Sequence, residues 1–267
     1  TYSPVKTLAD VALPTVDGGT WSWYDDTTVP EVKTGSYKAT FTPDGNSQYR
    51  SYQADIPLTV NKATPVQAGA GYGTQITYGE TLGDSTIQET FQVDGTAVNG
   101  TAVWKDTAIQ PQVKDGNVTK YDITFSPTDT DNYQNAAGSL VVRSVEKKAV
   151  TVSIQNAVKE FGDDNPAFSL VIPEGTLVGK DTEADLAVTI QCAADKTTGA
   201  GSTVAITGTS SSSNYDVTVV KGRLIIKQRE VSIRVKDVTL DYGVSLPERY
   251  EVEVSNLVPG TDQSVLG

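Results

Sequence analysis

Apolar and polar residues alternate with a period of two along much of this chain. Val150-Thr151-Val152-Ser153-Ile154 is one such run, and Val231-Ser232-Ile233-Arg234-Val235 is another. Tyr37-Lys38-Ala39-Thr40-Phe41 and Tyr121-Asp122-Ile123-Thr124-Phe125 form a matched pair. Successive side chains of a strand point to opposite faces, so the pattern predicts half-buried strands with one wet face. Turn clusters separate them: Asp17-Gly18-Gly19, Asp94-Gly95, Asp115-Gly116-Asn117 and Ser210–Asn214. No long stretch keeps a helical period, and the best short helix is Lys180–Leu186 with Asp181 as its cap. The expected fold is mainly β: a tandem, elongated array of small modules. Each is an Ig-like sandwich or a compact sheet with one short helix.

The array follows from repetition. Val150, Val152, Ile154, Phe161, Gly162, Pro166, Gly179 and Asp181 fall on Val231, Ile233, Val235, Tyr242, Gly243, Pro247, Gly260 and Asp262 at one offset of 81. Trp23, Asp25 and Pro30 reappear 81 positions on as Trp104, Asp106 and Pro111; Tyr37, Phe41, Pro43 and Tyr49 reappear 84 positions on as Tyr121, Phe125, Pro127 and Tyr133. The change of offset places an insertion in the polar stretch Gln112–Asn117, where loop lengthening costs little. Asn132-Tyr133 and Asn214-Tyr215 each precede a Gly-x-Leu ending. Self-similarity at a fixed period means stacked folding units. The expected boundaries are residues 1–63, 64–149, 150–229 and a shortened fourth copy, 230–267.

Short charged joints close the copies: Asn61-Lys62-Ala63, Glu146–Ala149 and Lys227–Glu230. None is a Gly/Ser linker, so bending should be limited, with Thr64–Thr77 and its glycines as the one expected hinge. The fourth copy leaves strand edges unpaired, so residues 230–267 are expected to be disordered, domain-swapped or dimer-forming. With no initiator Met, the sequence reads as a piece of a larger precursor.

Composition removes several function classes. There are 21 basic and 33 acidic residues, a net charge of −12, which repels nucleic acid and anionic lipid. No apolar run is long enough to span a bilayer, so no membrane contact by this chain is expected. There is no His, so His-based triads and metal sites do not arise, and the one cysteine, Cys192, forms no internal disulfide. Its alternation with Val188 and Ile190 reads as a buried small hydrophobe. The acid pairs Asp25-Asp26 and Asp163-Asp164 sit in turn-like segments, where Asp caps the backbone rather than hydrolysing a glycoside.

Two groups of side chains remain as candidates. Asp129 and Asp131, and Asp163 and Asp164, offer closely spaced oxygens for a weak calcium site, but neither pair belongs to a full calcium loop with a distal Glu. No other cofactor is expected. Trp21, Tyr24 and Tyr52 would form a sugar platform if exposed together. Trp21 aligns with Ala102 and is the one tryptophan the repeat does not explain; its spacing from Trp23 points it inward.

Glu160-Phe161-Gly162-Asp163-Asp164-Asn165-Pro166, Gly179-Lys180-Asp181, Asn214-Tyr215 and Gly222-Arg223-Leu224 together resemble the MBG domain of YGX type. Asp241-Tyr242-Gly243 and Pro247 look like the start of another copy. Residues 1–149 are similar to a related surface repeat, marked by Thr7-Leu8-Ala9-Asp10 and Thr81-Leu82-Gly83-Asp84. The resemblance implies tandem modules of a bacterial cell-surface or secreted protein, extracellular, with no catalytic residues to carry over. The expected function is a non-catalytic stalk or spacer contacting neighbouring modules of its parent. The alternative is an adhesin binding glycan or a host surface protein.

Overall fold

The computed structural model describes residues 1–45 and 48–266. The chain divides into two compact units, Thr1–Glu146 and Lys147–Gly267; Gly267, the last residue of the expected copy 230–267, lies outside the described residues. The protein is mainly β, and its helical segments among the described residues are single 3-10 turns.

Unit 1 opens with a three-stranded antiparallel sheet, β1 (Gly19–Trp23), β2 (Thr34–Pro43) and β3 (Tyr52–Thr59), in that order. Ten short strands follow: β4 (Val66–Gln67), β5 (Tyr72–Gly73), β6 (Ile76–Thr77), β7 (Ile87–Gln88), β8 (Phe91–Val93), β9 (Thr96–Val98), β10 (Gly100–Trp104), β11 (Lys120–Pro127), β12 (Ala136–Val142) and β13 (Val145–Glu146). They assemble as a five-stranded sheet, β10-β11-β12-β5-β7, a three-stranded sheet, β4-β8-β9, and the parallel pair β6 and β13. Trp104, Ile123, Phe125, Leu140 and Val142 from the larger sheet pack against Phe91, Val93 and Val98 from the smaller one. The Phe91 and Phe125 rings stack at 4.1 Å. Each large apolar side chain sealed here contributes roughly 1.5–3 kcal/mol, which explains why this copy needs no disulfide.

β1, β2 and β3 repeat the register of β10, β11 and β12: Trp23 lies opposite Ala39 as Trp104 lies opposite Ile123, and Ala54 and Gly138 complete the two rows. Nothing corresponding to β4, β5 or β8 covers the first sheet among the described residues.

Unit 2 contains β14 (Lys148–Ile154), β15 (Ala157–Glu160), β16 (Leu170–Val171), β17 (Val188–Cys192), β18 (Thr203–Ser210), β19 (Tyr215–Val220) and β20 (Gly222–Lys227), followed by β21 (Ser232–Val235) and β22 (Val252–Ser255). The sheets are β16-β14-β19, β15-β20-β18-β17 and the antiparallel pair β21 and β22. Ile154, Ile206, Leu224 and Ile226 form the core between the first two.

Two local expectations change. Thr64–Thr77 is not a bare hinge: it contributes β4, β5 and β6. Two of its glycines serve close approach, since a Cβ on Gly71 would stand 2.6 Å from the Gln88 carbonyl and one on Gly73 2.4 Å from the Trp104 ring. The short helix is the 3-10 turn Glu183–Leu186, and its N-cap is Thr182, not Asp181. Asp185 accepts from the Thr182 backbone at 2.8 Å and from its hydroxyl at 3.1 Å, while Asp181 accepts from the Tyr215 hydroxyl. The same Thr-x-x-Asp box closes the turns Leu8–Asp10 and Leu82–Asp84.

Candidate functional site

The three aromatic candidates divide between two faces. Trp21 lies opposite Phe41, and Phe41 opposite Tyr52, so all three side chains share one face of the first sheet. Trp21 is half-buried and leans on Phe41 at 5.4 Å, with the planes tilted by 53°. The Phe41 ring covers Gly19, where a Cβ would come within 2.2 Å of it. One row along, the Trp23 indole donates to the Val11 carbonyl at 2.9 Å. The loop that carries Val11, Leu13 and Val16 borders, with both tryptophans, an open cleft of about 530 Å³. Tyr52, 65% exposed, continues the aromatic row toward solvent. Tyr24, 68% exposed, falls on the opposite, wet face, where Lys38 and Asp55 pair at 3.4 Å. Phe41 is the member that a search for unexplained tryptophans overlooks; its signal is the shared alternation of Tyr37, Ala39 and Phe41.

The carboxylate candidates lie in separate units, and most of their oxygens are already engaged. Asp129 accepts from the Asn132 side chain at 2.8 Å and from the Asp131 and Asn132 backbones at 3.1 Å each. These hydrogen bonds, the Asn132 side chain foremost, hold its carboxyl below the usual carboxylate range. Asp131 borders the same open cleft of about 510 Å³ as Asp129. Asp163 pairs with Arg229, and Asp164 with Lys196 at 3.0 Å. Calcium needs six to eight oxygens around one point. Among the described residues no group of three or more Asp, Glu, His or Cys is placed to hold a metal.

Two cations are built into unit 2 rather than left to solvent. Arg229, in the joint Lys227–Glu230, keeps only 12% of its side chain exposed. Its guanidinium donates to the Phe161 carbonyl at 2.9 Å, to Asn256 at 3.1 Å and to Asp163. Lys159 is buried, and its ammonium donates to the carbonyls of Asp195 at 2.6 Å and Asp163 at 3.1 Å. Both grip the turn Phe161-Gly162-Asp163. Gly162 has φ of +88°, and a Cβ there would stand 2.6 Å from Val258. This glycine is therefore required both for the turn and for the approach of the segment beyond Arg229. Lys159 had a signal in the sequence, since it shares parity with Ala157 and Phe161; Arg229 had none. Cys192 is half-buried against the unit 2 core. These groups join chain to chain, and nothing in them supplies a nucleophile with a base.

Residues 150–225 match the family model of the MBG domain (YGX type). It is a module type of bacterial surface proteins and not a known enzyme family. None of the curated proteins matches the chain. Among solved structures the chain is similar to Drosophila N-cadherin EC1-3, at 12% identity over 81% of this chain and 91% of that one, with a TM-score of 0.21. It is also similar to SGBP-B of a Bacteroides ovatus mixed-linkage glucan utilization locus, in complex with a mixed-linkage heptasaccharide. There the identity is 13% over 85% of this chain and 65% of that one, with a TM-score of 0.19.

Proposed function

We propose that this chain is a non-catalytic stalk or spacer segment of a bacterial cell-surface or secreted protein, built of four copies divided near residues 63, 149 and 229. The observation that carries the reading is the parallel pairing of opening and closing strands. In the third copy β14 runs parallel to β19 from Lys148↔Tyr215 to Ser153↔Val220, and β15 runs parallel to β20 from Ala157↔Leu224 to Glu160↔Lys227. β14 begins at one joint and β20 ends at the next. Tension entering through the joints therefore slides these ladders lengthwise and loads their hydrogen bonds together. An antiparallel hairpin pulled at its two ends opens one bond at a time. The second copy repeats the device in shorter form, with Ala63 against Tyr133, β5 against β12 and β6 against β13. Such a module resists force while binding nothing, and the acidic surface keeps an array of them soluble.

Single-molecule stretching between the chain ends tests this. The expected trace shows discrete events, each releasing about 3.5 Å of contour length per unfolded residue, with the third copy yielding at the higher force because its parallel ladders are longer. Gradual lengthening at forces typical of hairpin unzipping would remove the proposal. The second reading is an adhesin for glycan or host protein, and the observation favouring it is the Trp21, Phe41 and Tyr52 row beside its open cleft. A glycan array and a panel of host matrix proteins address it. Saturable binding abolished by Trp21→Ala and Tyr52→Ala would establish the adhesin, and binding that survives both would locate the contact elsewhere.

A further inference from the structure

We propose that β17 is an interaction edge, along which a second copy of this chain adds its own β17 antiparallel to form a two-fold dimer. β17 closes the sheet β15-β20-β18-β17, and β18 is its one strand neighbour among the described residues.

The register shows which backbone groups are open. β17 and β18 run antiparallel with Ile190 opposite Gly208. Continued outward, that register sets Ala187 opposite Ser211, and the Ser211 amide donates to the Ala187 carbonyl at 3.2 Å. On the far side of β18 the Ile226 amide donates to the Ser202 carbonyl at 3.0 Å. Hydrogen-bonded pairs alternate along an antiparallel ladder, so Thr189 and Gln191 turn their backbone groups to β18. The amides and carbonyls of Val188, Ile190 and Cys192 point away from it. The chain on either side is already tied: the Ser210 hydroxyl donates to the Leu186 carbonyl and the Asn165 side chain to the Ala194 carbonyl, each at 2.6 Å. What stays open is the stretch Val188–Cys192, held straight at both ends.

The other sheet edges of the third copy are guarded. β15 carries Lys159 and Glu160, β19 carries Asp216, and β16 is two residues long. Charge and shortness are the usual defences against edge-to-edge pairing. β17, Val188-Thr189-Ile190-Gln191-Cys192, has neither charge nor proline. Its counterpart in the second copy, β10, has Gly100 and Ala102 in the places of Val188 and Ile190, and so offers a partner less side chain.

Charge and register select the occupant. The chain carries a net charge of −12, yet β17 is neutral. The flanking carboxylates of Asp185 and Asp195 are turned into their own caps, accepting from Thr182 at 2.8 Å and from the Thr197 hydroxyl at 2.8 Å. Two acidic chains can therefore meet along this strand without opposing like charges, whereas a charged peptide would find no counter-charge on it. The edge is also its own complement. With the two-fold axis at Ile190, every open amide meets an open carbonyl of the second copy. Ile190 then faces Ile190, and Val188 faces Cys192, beside the core that Ile190 and Cys192 already touch. On the exposed side Thr189 faces Gln191, in the pairs whose side chains stand closest.

Sedimentation and light scattering of the full chain over a range of concentrations, with and without reductant, supply the test. The expected mass rises from one copy to two and stops, because an isologous contact closes. Thr189→Lys with Gln191→Lys sets like charges opposite each other at two exposed positions and should weaken the dimer roughly tenfold. Thr189→Lys with Gln191→Glu sets opposite charges across the same axis and should restore it. Hydrogen exchange at the Ile190 amide should slow on concentrating the unmodified chain and the restoring variant. A chain that stays monomeric overturns the proposal, as does a dimer that the paired lysines leave intact. So does a Lys and Glu combination that fails to restore pairing, or a dimer lost on reduction, which would be held by Cys192 instead of the strand.

Discussion

Trp23 and Trp104 occupy equivalent places in two copies of one sheet, and each donates its indole N–H to a backbone carbonyl at 2.9 Å, Val11 in one case and Ser85 in the other. Trp104 is 4% exposed, yet Trp23 is only half-buried. The difference lies in the neighbours. Gly73 of β5 presses its backbone against the Trp104 ring, and Phe91 of β8 stacks on Phe125 one row away. Over the first sheet none of the described strands takes either place, and Trp21 itself leans on Phe41. Trp21, which alignment with Ala102 leaves unexplained, is the ring that meets Phe41 in this sheet. Similar strand patterns thus carry a sealed core in one sheet and an aromatic cleft in the other.

The largest test of that comparison removes the two indoles in turn. Trp104→Ala should cost about 3–5 kcal/mol, the range for deleting a sealed aromatic that leaves a cavity and an unpaired carbonyl. Trp23→Ala should cost clearly less, because the ring already meets water and less apolar area returns to it. All three tryptophans lie in unit 1, so fluorescence-monitored urea unfolding reports that unit alone. Equal losses at the two sites would mean that β5 and β8 add nothing to the core they cover.

How far the sequence discloses this arrangement depends on the range of each interaction. Alternation is local, so the β1, β2 and β3 pattern and its copy in β10, β11 and β12 are legible from residues such as Tyr37, Ala39 and Phe41. The Thr-x-x-Asp box is local as well, and Thr182 escapes notice only because Asp181 offers a competing cap one residue earlier. Parallel pairing is not local: nothing within Ala157–Glu160 announces a partner at Leu224–Lys227, and glycines that read as a hinge at Gly71 and Gly73 are spacers for close packing. Arg229 and Lys159 escape for a different reason. Pattern reading assigns a cation to solvent, whereas these two are held by backbone carbonyls that become convergent only after the Gly162 turn is made. Among the ligand candidates, the shared row of Trp21 and Tyr52 follows from strand register, which alternation alone does not specify.

Gly73 sharpens the comparison from the covering side. Gly73→Ala would place a methyl 2.4 Å from the Trp104 ring and 2.6 Å from the Ser85 hydroxyl. Neither neighbour has room to yield, since the ring is buried and the hydroxyl donates to the Thr74 carbonyl at 2.8 Å. A loss of about 1–3 kcal/mol is expected, the usual cost of overpacking a filled site. In the double variant with Trp104→Ala the added methyl should cost much less, because the cavity accepts it. Strict additivity of the two changes would show that Gly73 is there for backbone freedom, not for the approach of β5 to the indole.

The smallest expected effect concerns the 3-10 turns Leu8–Asp10, ahead of β1, and Leu82–Asp84, ahead of β7. Asp84 accepts from the Thr81 backbone at 2.9 Å and from its hydroxyl at 3.0 Å, and these bonds hold its carboxyl below the usual carboxylate range. A carboxyl whose folded value is depressed adds stability that is fully present above its unfolded value, near 3.9, and is lost as pH falls through the folded value. Asp84→Asn should therefore lower the melting temperature of unit 1 near neutral pH, by a modest amount because the group is exposed, and the gap should close below about pH 4. In the first copy Asp10 keeps the backbone bond, at 2.9 Å from Thr7, but the Thr7 hydroxyl turns away to accept from Ala9 at 3.3 Å. With one bond in place of two, Asp10→Asn should move the melting temperature less than Asp84→Asn at the same pH. The turn under the covered sheet is the more tightly built, and a larger effect at Asp10 would reverse that ranking.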